Sequence, residues 1–449
     1  MLKQNDKIKY LAENYTNAET VGVVDDTTVF VPFMLVGEEA VVKVNYAKKG
    51  VAYADVVEIL KPSSKRQVPP CPHFGRCGGC TLMHMDYGEQ LVFKRNKVAH
   101  NLTKIAGYTG EVLPCVASPA ILCYRNKLSL PVRGSTGDPT IGLYVKGSHK
   151  VVQVDDCRIG GDFCKPLVEI FRDYMVEEKL APYDEQDFSG QIRHLVARYL
   201  DGQLLLTVVT NGAFDMNFAP LAQRLQERFP RFGLFRNINT HRNNVILGEQ
   251  TQHVYGLQYI ESQHLGVKFR LRADSFFQVN DGVKDLIYAK ARELLDLSHT
   301  EVLVDCFSGV GILTNALASN DYETIGVEIV PSAVTDANDN AELNGHRNVT
   351  NICGDANVEL PKLTRRFRGK RMSLIVDPPR KGLGEAICNT IISAAFDNVV
   401  YISCDSATLA RDLKALMTAY EIDYVQPYDM FPQTAEVETI VHLTRRQDN

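Results

Sequence analysis

Long apolar runs are missing from this chain of 449 residues. No stretch approaches the roughly 18 residues that a helix needs to cross a bilayer, so no membrane partner is expected. The opening segment, MLKQNDKIKY, lacks the apolar core of a signal peptide. A cytoplasmic protein is therefore expected, and its eleven cysteines read as thiols, metal ligands or catalytic groups rather than disulfides. Internal repeats and low-complexity tracts are absent too, which leaves out repeat arrays and extended disorder. An excess of positive charge is also lacking. The formal net charge is -5, which by itself argues against a nucleic-acid partner. The length allows two to four domains, and the ordinary apolar and charged fractions suit globular ones.

The charge is unevenly placed, however. Between Lys43 and Lys104 there are eleven basic residues: Lys43, Lys48, Lys49, Lys61, Lys65, Arg66, Arg76, Lys94, Arg95, Lys97 and Lys104. Four acids (Asp55, Glu58, Asp86, Glu89) stand against them, a local surplus of seven. A basic module on an acidic protein is the electrostatic footprint of a phosphate backbone. The segments VGVV, TTVFVPFML, EEAVVKVNYAKKG and VAYADVVEIL are rich in β-branched residues and separated by Asp, Gly and Lys turns. They predict four or five strands of a small barrel between Thr20 and Leu60. The run GEEAVVKVNYAKKGVAYADVVEILKPS resembles a TRAM domain, an OB-like RNA-binding module, and ends at the linker Lys61-Pro62-Ser63-Ser64.

The next segment, VPPCPHFGRCGGCTLMHM, spaces Cys71, Cys77 and Cys80 as C-x5-C-x2-C. Thiolates set so closely share a metal or cluster, or stay idle. Three ligands leave a tetrahedral zinc or a cubane cluster one short. Cys115, Cys123, Cys157 and Cys164 follow downstream. Cys157, after a predicted strand and before a Gly-Gly turn, is the favoured fourth. Zinc more often takes two C-x2-C pairs, so this spacing fits a 4Fe-4S cluster better. A helix is predicted over Tyr87 to Ile105, and strands resume at Tyr124. Arg125, Lys127 and Arg133 are either phosphate contacts or ordinary strand surface.

From Lys268 the pattern changes. FRLRADSFFQVN leads into a helix predicted over Asp281 to Leu297. The strand Val302 to Asp305 then runs into a glycine loop, Ser308-Gly309-Val310-Gly311, and another helix. Glycines there let a ligand approach the backbone, with a helix N-terminus facing it. TIGVEI ends in Glu328, placed for two ribose hydroxyls. Further units carry Asp355 and Asp377 at strand ends. Such a series also suits a dinucleotide. The D-x-F-x-G-x-G loop, Asp377-Pro378-Pro379 and a terminal strand hairpin point instead to S-adenosylmethionine.

Arg380 stands where enzymes that methylate amino groups carry a stacking aromatic. Enzymes that methylate cytosine C5 place a cysteine near the fourth strand. Here the cysteine is Cys404, after the fifth strand, Val399 to Ile402, and before a helix begun by Asp405 or Ser406. Open α/β sheets bind ligands at that place, and a helix N-terminus favours a thiolate. That leaves uracil C5, a poor nucleophile until a thiolate adds at C6. A base must then take the C5 proton. Glu436 and Glu438, two apart at the start of a late strand, are both placed for it.

The motifs FFQVN, DCFSGVG, GVE, DPPRKG, YISCD-x-ATLARD and DMFPQTAEVE resemble the RNA uridine-C5 methyltransferase family over nearly the whole chain. The TRAM-like barrel and cysteine cluster resemble its 23S rRNA members most, a tRNA substrate being the alternative. A non-catalytic iron–sulfur RNA-binding protein is the reading from another class, opposed by the intact Cys404 and Glu438. The resemblance implies an α/β fold with three domains: a TRAM barrel over 1–62, a central α+β domain with the cluster over 63–265, and a Rossmann-like S-adenosylmethionine-dependent methyltransferase domain over 266–449. It implies Cys404 as nucleophile, Glu438 as proton acceptor, and Gln278, Phe307, Glu328 and Asp377 as donor contacts. Cys71, Cys77, Cys80 and Cys157 would hold the 4Fe-4S cluster. A monomer that flips its target base is expected. Two departures stand out: Glu436 where the family usually has His, and Ile312 where a polar residue often follows the loop glycine.

Overall fold

The computed structural model describes residues 2–446. The first unit is a curled six-stranded sheet built from Lys7–Leu11, Asn14–Thr16, Glu19–Val24, Thr27–Pro32, Glu39–Lys48 and Val51–Lys61. Thr27–Pro32 alternates buried and half-buried residues along its length, the period-2 signature of a sheet with one covered face. Val29, Val31, Val42, Val44 and Ala52 fill the inside. The sheet closes where Lys7–Leu11 crosses Glu19–Val24. A Cβ at Gly22 would stand 2.3 Å from the Leu11 carbonyl oxygen, so only glycine permits that approach. Four of the six strands fall in the predicted barrel segment. Lys7–Leu11 escapes pattern reading because KIKYL buries only Tyr10.

The central sheet has seven strands. In spatial order they are Gln250–Gly256, Arg231–Ile238, Gln203–Thr210, Ile192–Leu200, Lys127–Ser135, Asp138–Tyr144 and Val151–Gln153. Leu167 and Phe171 of helix Cys164–Glu177 and Leu225 of helix Ala219–Arg228 share one core with Leu195 and Leu206 of the sheet. The cysteine-bearing loop lies on its edge, with the Gly78 N–H donating to the Tyr144 carbonyl at 2.9 Å.

The third sheet comprises β1 (Val302–Cys306), β2 (Glu323–Glu328), β3 (Val349–Cys353), β4 (Met372–Val376), β5 (Asn398–Ser403), β6 (Tyr420–Tyr428) and β7 (Glu438–Arg445). Its spatial order is β3-β2-β1-β4-β5-β7-β6, the first five parallel and β7 antiparallel to both neighbours. Every residue of β1 and β4 is buried, which explains why their sequences are apolar apart from Asp305 and Ser373.

Two segments cross the boundaries drawn from sequence. Helix Tyr87–Asn101 and the chain after it bury Val98, Leu102, Ala106 and Val112 in the core of the third sheet. The Leu113 and Val116 N–H groups donate to the Val425 and Pro427 carbonyls, at 3.0 and 2.9 Å, alongside β6. A strand pair, Ile260–His264 with Val267–Leu271, turns at the boundary drawn between 265 and 266. It docks on helix Pro331–Leu343, with the Arg270 N–H donating to Asn340 Oδ1 at 2.7 Å.

Candidate active site

The sheet reverses its winding between β1 and β4, and a cleft of about 900 Å³ opens there at the carboxyl ends of the strands. After β1 the chain turns through Phe307, Gly309 and Gly311, with φ of 68°, 55° and 74°. A Cβ at Gly311 would sit 2.9 Å from that of Ala337, so helix Pro331–Leu343 packs hard against the loop. Glu328 ends β2, its Oε2 accepting from the Gly309 N–H at 3.0 Å and its Oε1 from the Val330 N–H at 2.9 Å. Asp377 follows β4 and accepts from Gln278 Nε2 at 3.5 Å. Gln278, Phe307, Glu328 and Asp377, the four proposed donor contacts, therefore line one cleft. Ile312 also lines it and begins helix Ile312–Leu317. The Ser308 hydroxyl is buried without a partner.

Carboxylates crowd this cleft. Asp305 is buried in β1, near enough to Asp377 and Glu328 for their charges to act on it, and accepts from the Thr314 hydroxyl at 2.6 Å. Burial, reinforced by Asp377 and Glu328, pushes its carboxyl up to about 7. Burial holds Asp377 at about 7 as well, against donation from Gln278. A cationic ligand would reverse these shifts by favouring the ionised carboxylates.

Cys404 follows β5 and is half-buried in the same cleft. Asp405 rather than Ser406 caps helix Ser406–Leu416, its Oδ1 accepting from the Ala407 and Thr408 N–H groups at 3.0 and 2.9 Å. The helix donors expected to favour a thiolate are thus taken by a carboxylate. Burial, with Glu438 and Asp377 adding to it and Arg380 opposing, pushes the Cys404 thiol up to about 12.

Glu438 opens β7 at 2% exposure, and its Oε2 has no hydrogen-bond partner. Burial holds its carboxyl well above the ordinary range, with Asp377 raising it further and Arg380 opposing. The two late glutamates do not share a strand face. β7 begins at Glu438, and Glu436 lies in the loop before it, half-buried at the same cleft and 3.8 Å from Arg380.

The four thiols of Cys71, Cys77, Cys80 and Cys157 line a second, small cavity between the central sheet and its loop. Cys115, Cys123 and Cys164 do not border it. The Gly79 N–H donates to Cys77 Sγ at 3.4 Å, and the Gly160 and Ile159 N–H groups point at Cys157. Among the described residues no group of three or more His, Cys, Asp or Glu is set to hold a single metal ion.

The basic surplus shrinks on folding. Lys94 is buried in an ion pair with Asp429, Lys97 donates to the Ala435 carbonyl, Arg95 to the Val112 carbonyl, and Arg66 to Glu38. Lys43, Lys48, Lys49, Lys65, Arg76 and Lys104 remain exposed. Arg133 pairs with Glu185 and Arg125 donates to the Lys127 carbonyl, so neither is plain strand surface. Tyr288 also lines the cleft, close enough to Asp377, Asp305 and Glu438 for their charges to act on its hydroxyl. Its helical spacing reads as core, and only the fold brings it to the carboxylates.

A sheet in this order, with a glycine turn after β1 and acids ending β2 and β4, defines an S-adenosylmethionine-dependent methyltransferase domain. Residues 87–446 match the model of the tRNA (uracil-5-)-methyltransferase family. An uncharacterised RNA methyltransferase of Halalkalibacterium halodurans is 36% identical over 98% of both chains, and one of Listeria innocua is 35% identical over 99% of both. The crystal structure of a Pyrococcus abyssi tRNA (uracil-54, C5)-methyltransferase in complex with S-adenosyl-L-homocysteine superposes with a TM-score of 0.76. It is 26% identical, and the match covers 97% of this chain and 99% of that one. The chain belongs to the tRNA (uracil-5-)-methyltransferase family and is an RNA methyltransferase of the uracil-C5 class. The match starts at Tyr87, the first residue of the helix that packs on the third sheet.

Proposed function

We propose that the chain methylates C5 of a uridine in 23S rRNA, with Cys404 as nucleophile and Glu438 as proton acceptor. The observation that carries this reading is that a half-buried thiol and a buried, partnerless carboxylate open into the cleft that holds Gln278, Phe307, Glu328 and Asp377. The acids fit a cationic donor, and S-adenosylmethionine supplies an electrophilic methyl group on a sulfonium. Cys404 gives up its proton to solvent and its sulfur bonds to C6; the C5–C6 pair becomes a C4–C5 double bond and the C4 carbonyl pair moves onto oxygen. The pair at C5 then takes the methyl group as its bond to the sulfonium breaks, leaving S-adenosylhomocysteine. Glu438 accepts the C5 proton, the C5–C6 double bond re-forms and the C6–S bond breaks. A base stacked in RNA does not reach a half-buried thiol, so the uracil is flipped into the cleft.

The TRAM-like barrel and four-thiol loop support rRNA, through their resemblance to the 23S enzymes. The likeness of nearly the whole chain to a tRNA (uracil-54, C5)-methyltransferase supports tRNA as a second reading. We further propose that Cys71, Cys77, Cys80 and Cys157 hold a 4Fe-4S cluster. Support comes from the shared cavity and from the backbone N–H groups aimed at two of its sulfurs. Such a cluster would tie the loop to the central sheet. Mapping 5-methyluridine in rRNA and tRNA of a strain lacking this gene tests the substrate. Loss at a 23S position alone is expected, loss in tRNA alone would establish the second reading, and no loss in either would overturn both.

A further inference from the structure

The loop from Asp429 to Val437 joins β6 to β7 and delivers Glu438 as the first residue of β7. Few of its contacts come from the strands it joins. They come from the N-terminal third of the chain. Gln90 Nε2 donates to Gln433 Oε1 at 3.0 Å, and the Gln433 N–H donates back to Gln90 Oε1 at 3.0 Å. The Gln433 carbonyl accepts from both the Thr81 and Leu82 N–H groups, each at 2.9 Å. Two residues on, the Ala435 N–H donates to the Thr81 hydroxyl at 3.1 Å, and Lys97 Nζ donates to the Ala435 carbonyl at 2.9 Å.

Gln433 is also strained. Its φ is 71°, a left-handed conformation that disfavours a residue with a Cβ by about 1–2 kcal/mol. Such a conformation persists where the surroundings over-determine it. Here the N–H, the carbonyl and the side-chain amide of one residue, at 2% exposure, are all held. Gln90 is buried too, its Nε2 also donating to the Leu82 and Met85 carbonyls at 3.2 and 2.9 Å. Gln90, Gln433 and the Thr81–Leu82 backbone therefore form one buried knot, and Thr81 directly follows Cys80 of the thiol cavity.

We propose that Gln433 is a positioning residue for Glu438, latched by Gln90 and Thr81 so that the segment following Cys80 sets the placement of the proton-accepting carboxylate. This rests on the reading of Glu438 as proton acceptor. A rigid group held by the four thiols would stiffen the same latch from its other side. The latch acts late in the reaction. Cys404 directly follows β5, outside the loop, so addition to C6 does not depend on it. Proton removal does, and a misplacement of about 1 Å at a reacting group lowers a rate by about 10²-fold.

The test uses the full-length protein as purified, with Gln90→Met, Thr81→Val and Glu438→Gln variants, in single turnovers with substrate RNA and S-adenosylmethionine. Denaturing gels separate formation of the covalent RNA adduct from its breakdown. Hydrogen exchange at the Gln433 and Ala435 amides is read without RNA. Gln90→Met is expected to slow adduct breakdown by about 10²-fold, to leave adduct formation and donor affinity within a few-fold, and to speed exchange at both amides. Thr81→Val removes one hydroxyl and acts the same way more weakly, so it decides the matter if Gln90→Met fails to fold. If Glu438→Gln traps the adduct while both latch variants resolve it at the normal rate with normal exchange, the latch is overturned and the role of Glu438 stands. If Glu438→Gln resolves the adduct at the normal rate, the proton-acceptor reading itself falls. Equal slowing of formation and breakdown in the latch variants marks general loss of structure and also overturns the proposal.

Discussion

Cys404 and Glu438 stand opposite each other one step beyond the last rung of an antiparallel ladder. Ser403 of β5 pairs with Thr439 of β7, and the next residue on each strand is the thiol and the carboxylate respectively. Directly opposed residues in such a ladder have Cα atoms about 4.5–5.5 Å apart. Sheet register therefore sets the two residues opposite each other, and the Glu438 carboxylate raises the Cys404 thiol's affinity for a proton.

Cys404→Ala is expected to abolish methylation, by on the order of 10⁴-fold or more as for other lost nucleophiles, while donor affinity stays within a few-fold. Incorporation of labelled methyl groups and calorimetry with S-adenosylhomocysteine check the two halves. Activity within tenfold of the parent would sink the covalent mechanism.

Glu438→Gln keeps the shape of the side chain but cannot take a proton. A covalent RNA adduct on Cys404 should accumulate and survive a denaturing gel. Glu436→Gln serves as the comparison. Glu436 is half-buried at the cleft with Arg380 3.8 Å away, outside the β5–β7 ladder that sets Glu438 opposite Cys404, so its loss should change turnover a few-fold and trap nothing. A trapped adduct in Glu436→Gln alone would exchange the two roles.

Both glutamates were legible in the sequence, but not the difference between them. Two residues apart, they read as one strand face, and only the point where β7 begins separates a fully buried carboxylate from a half-buried one beside Arg380. The donor side was more legible. Glycines and strand-end acids must follow buried strands to make such a site, and that pattern is local. Lys94, Arg95 and Lys97 misled because their partners, Asp429, the Val112 carbonyl and the Ala435 carbonyl, are set by tertiary packing. Tyr288 and Gln433 carried no local signal for the same reason. The four cysteines were legible because Cys71, Cys77 and Cys80 are close in sequence, and the fold then brings Cys157 and not its neighbour Cys164 to their cavity.

Stability should fall as pH rises from about 4 to about 7. The Asp305 carboxyl sits at about 7 in the folded chain and near 4 when unfolded. Between those values the unfolded state ionises while the folded state keeps its proton. The stabilisation is therefore full below the unfolded value and lost as pH passes the folded one. The span corresponds to about 4 kcal/mol. Asp305→Asn keeps an acceptor for Thr314 and removes the proton. Urea midpoints across this range should show a flatter slope for the variant, and an unchanged slope would exclude Asp305 as the source.

Cys157→Ser should reduce bound iron. Anaerobically purified parent protein is expected to be brown with about four irons per chain, and the variant to lose colour and iron together. A colourless parent holding one zinc would replace the cluster with a different metal. Full iron retention in the variant would move the fourth ligand elsewhere.

Lys94→Met should be among the most destabilising single changes outside the apolar cores. Lys94 and Asp429 are both fully buried, and Lys94 Nζ also donates to the Phe431 carbonyl at 3.0 Å. Removing one partner of such a pair strands the other charge, at a cost of about 3–5 kcal/mol. Replacing both with apolar groups is often neutral, so Lys94→Met with Asp429→Leu should recover most of the loss in a denaturant titration. The double variant also separates stability from geometry. It restores packing at positions 94 and 429 but not the ammonium that holds the Phe431 carbonyl and, with it, the first half of the loop before Glu438. If the pair is kept to shape that loop, the double variant regains its denaturation midpoint without regaining its rate of adduct breakdown. Recovery of both would show that the pair serves folding alone.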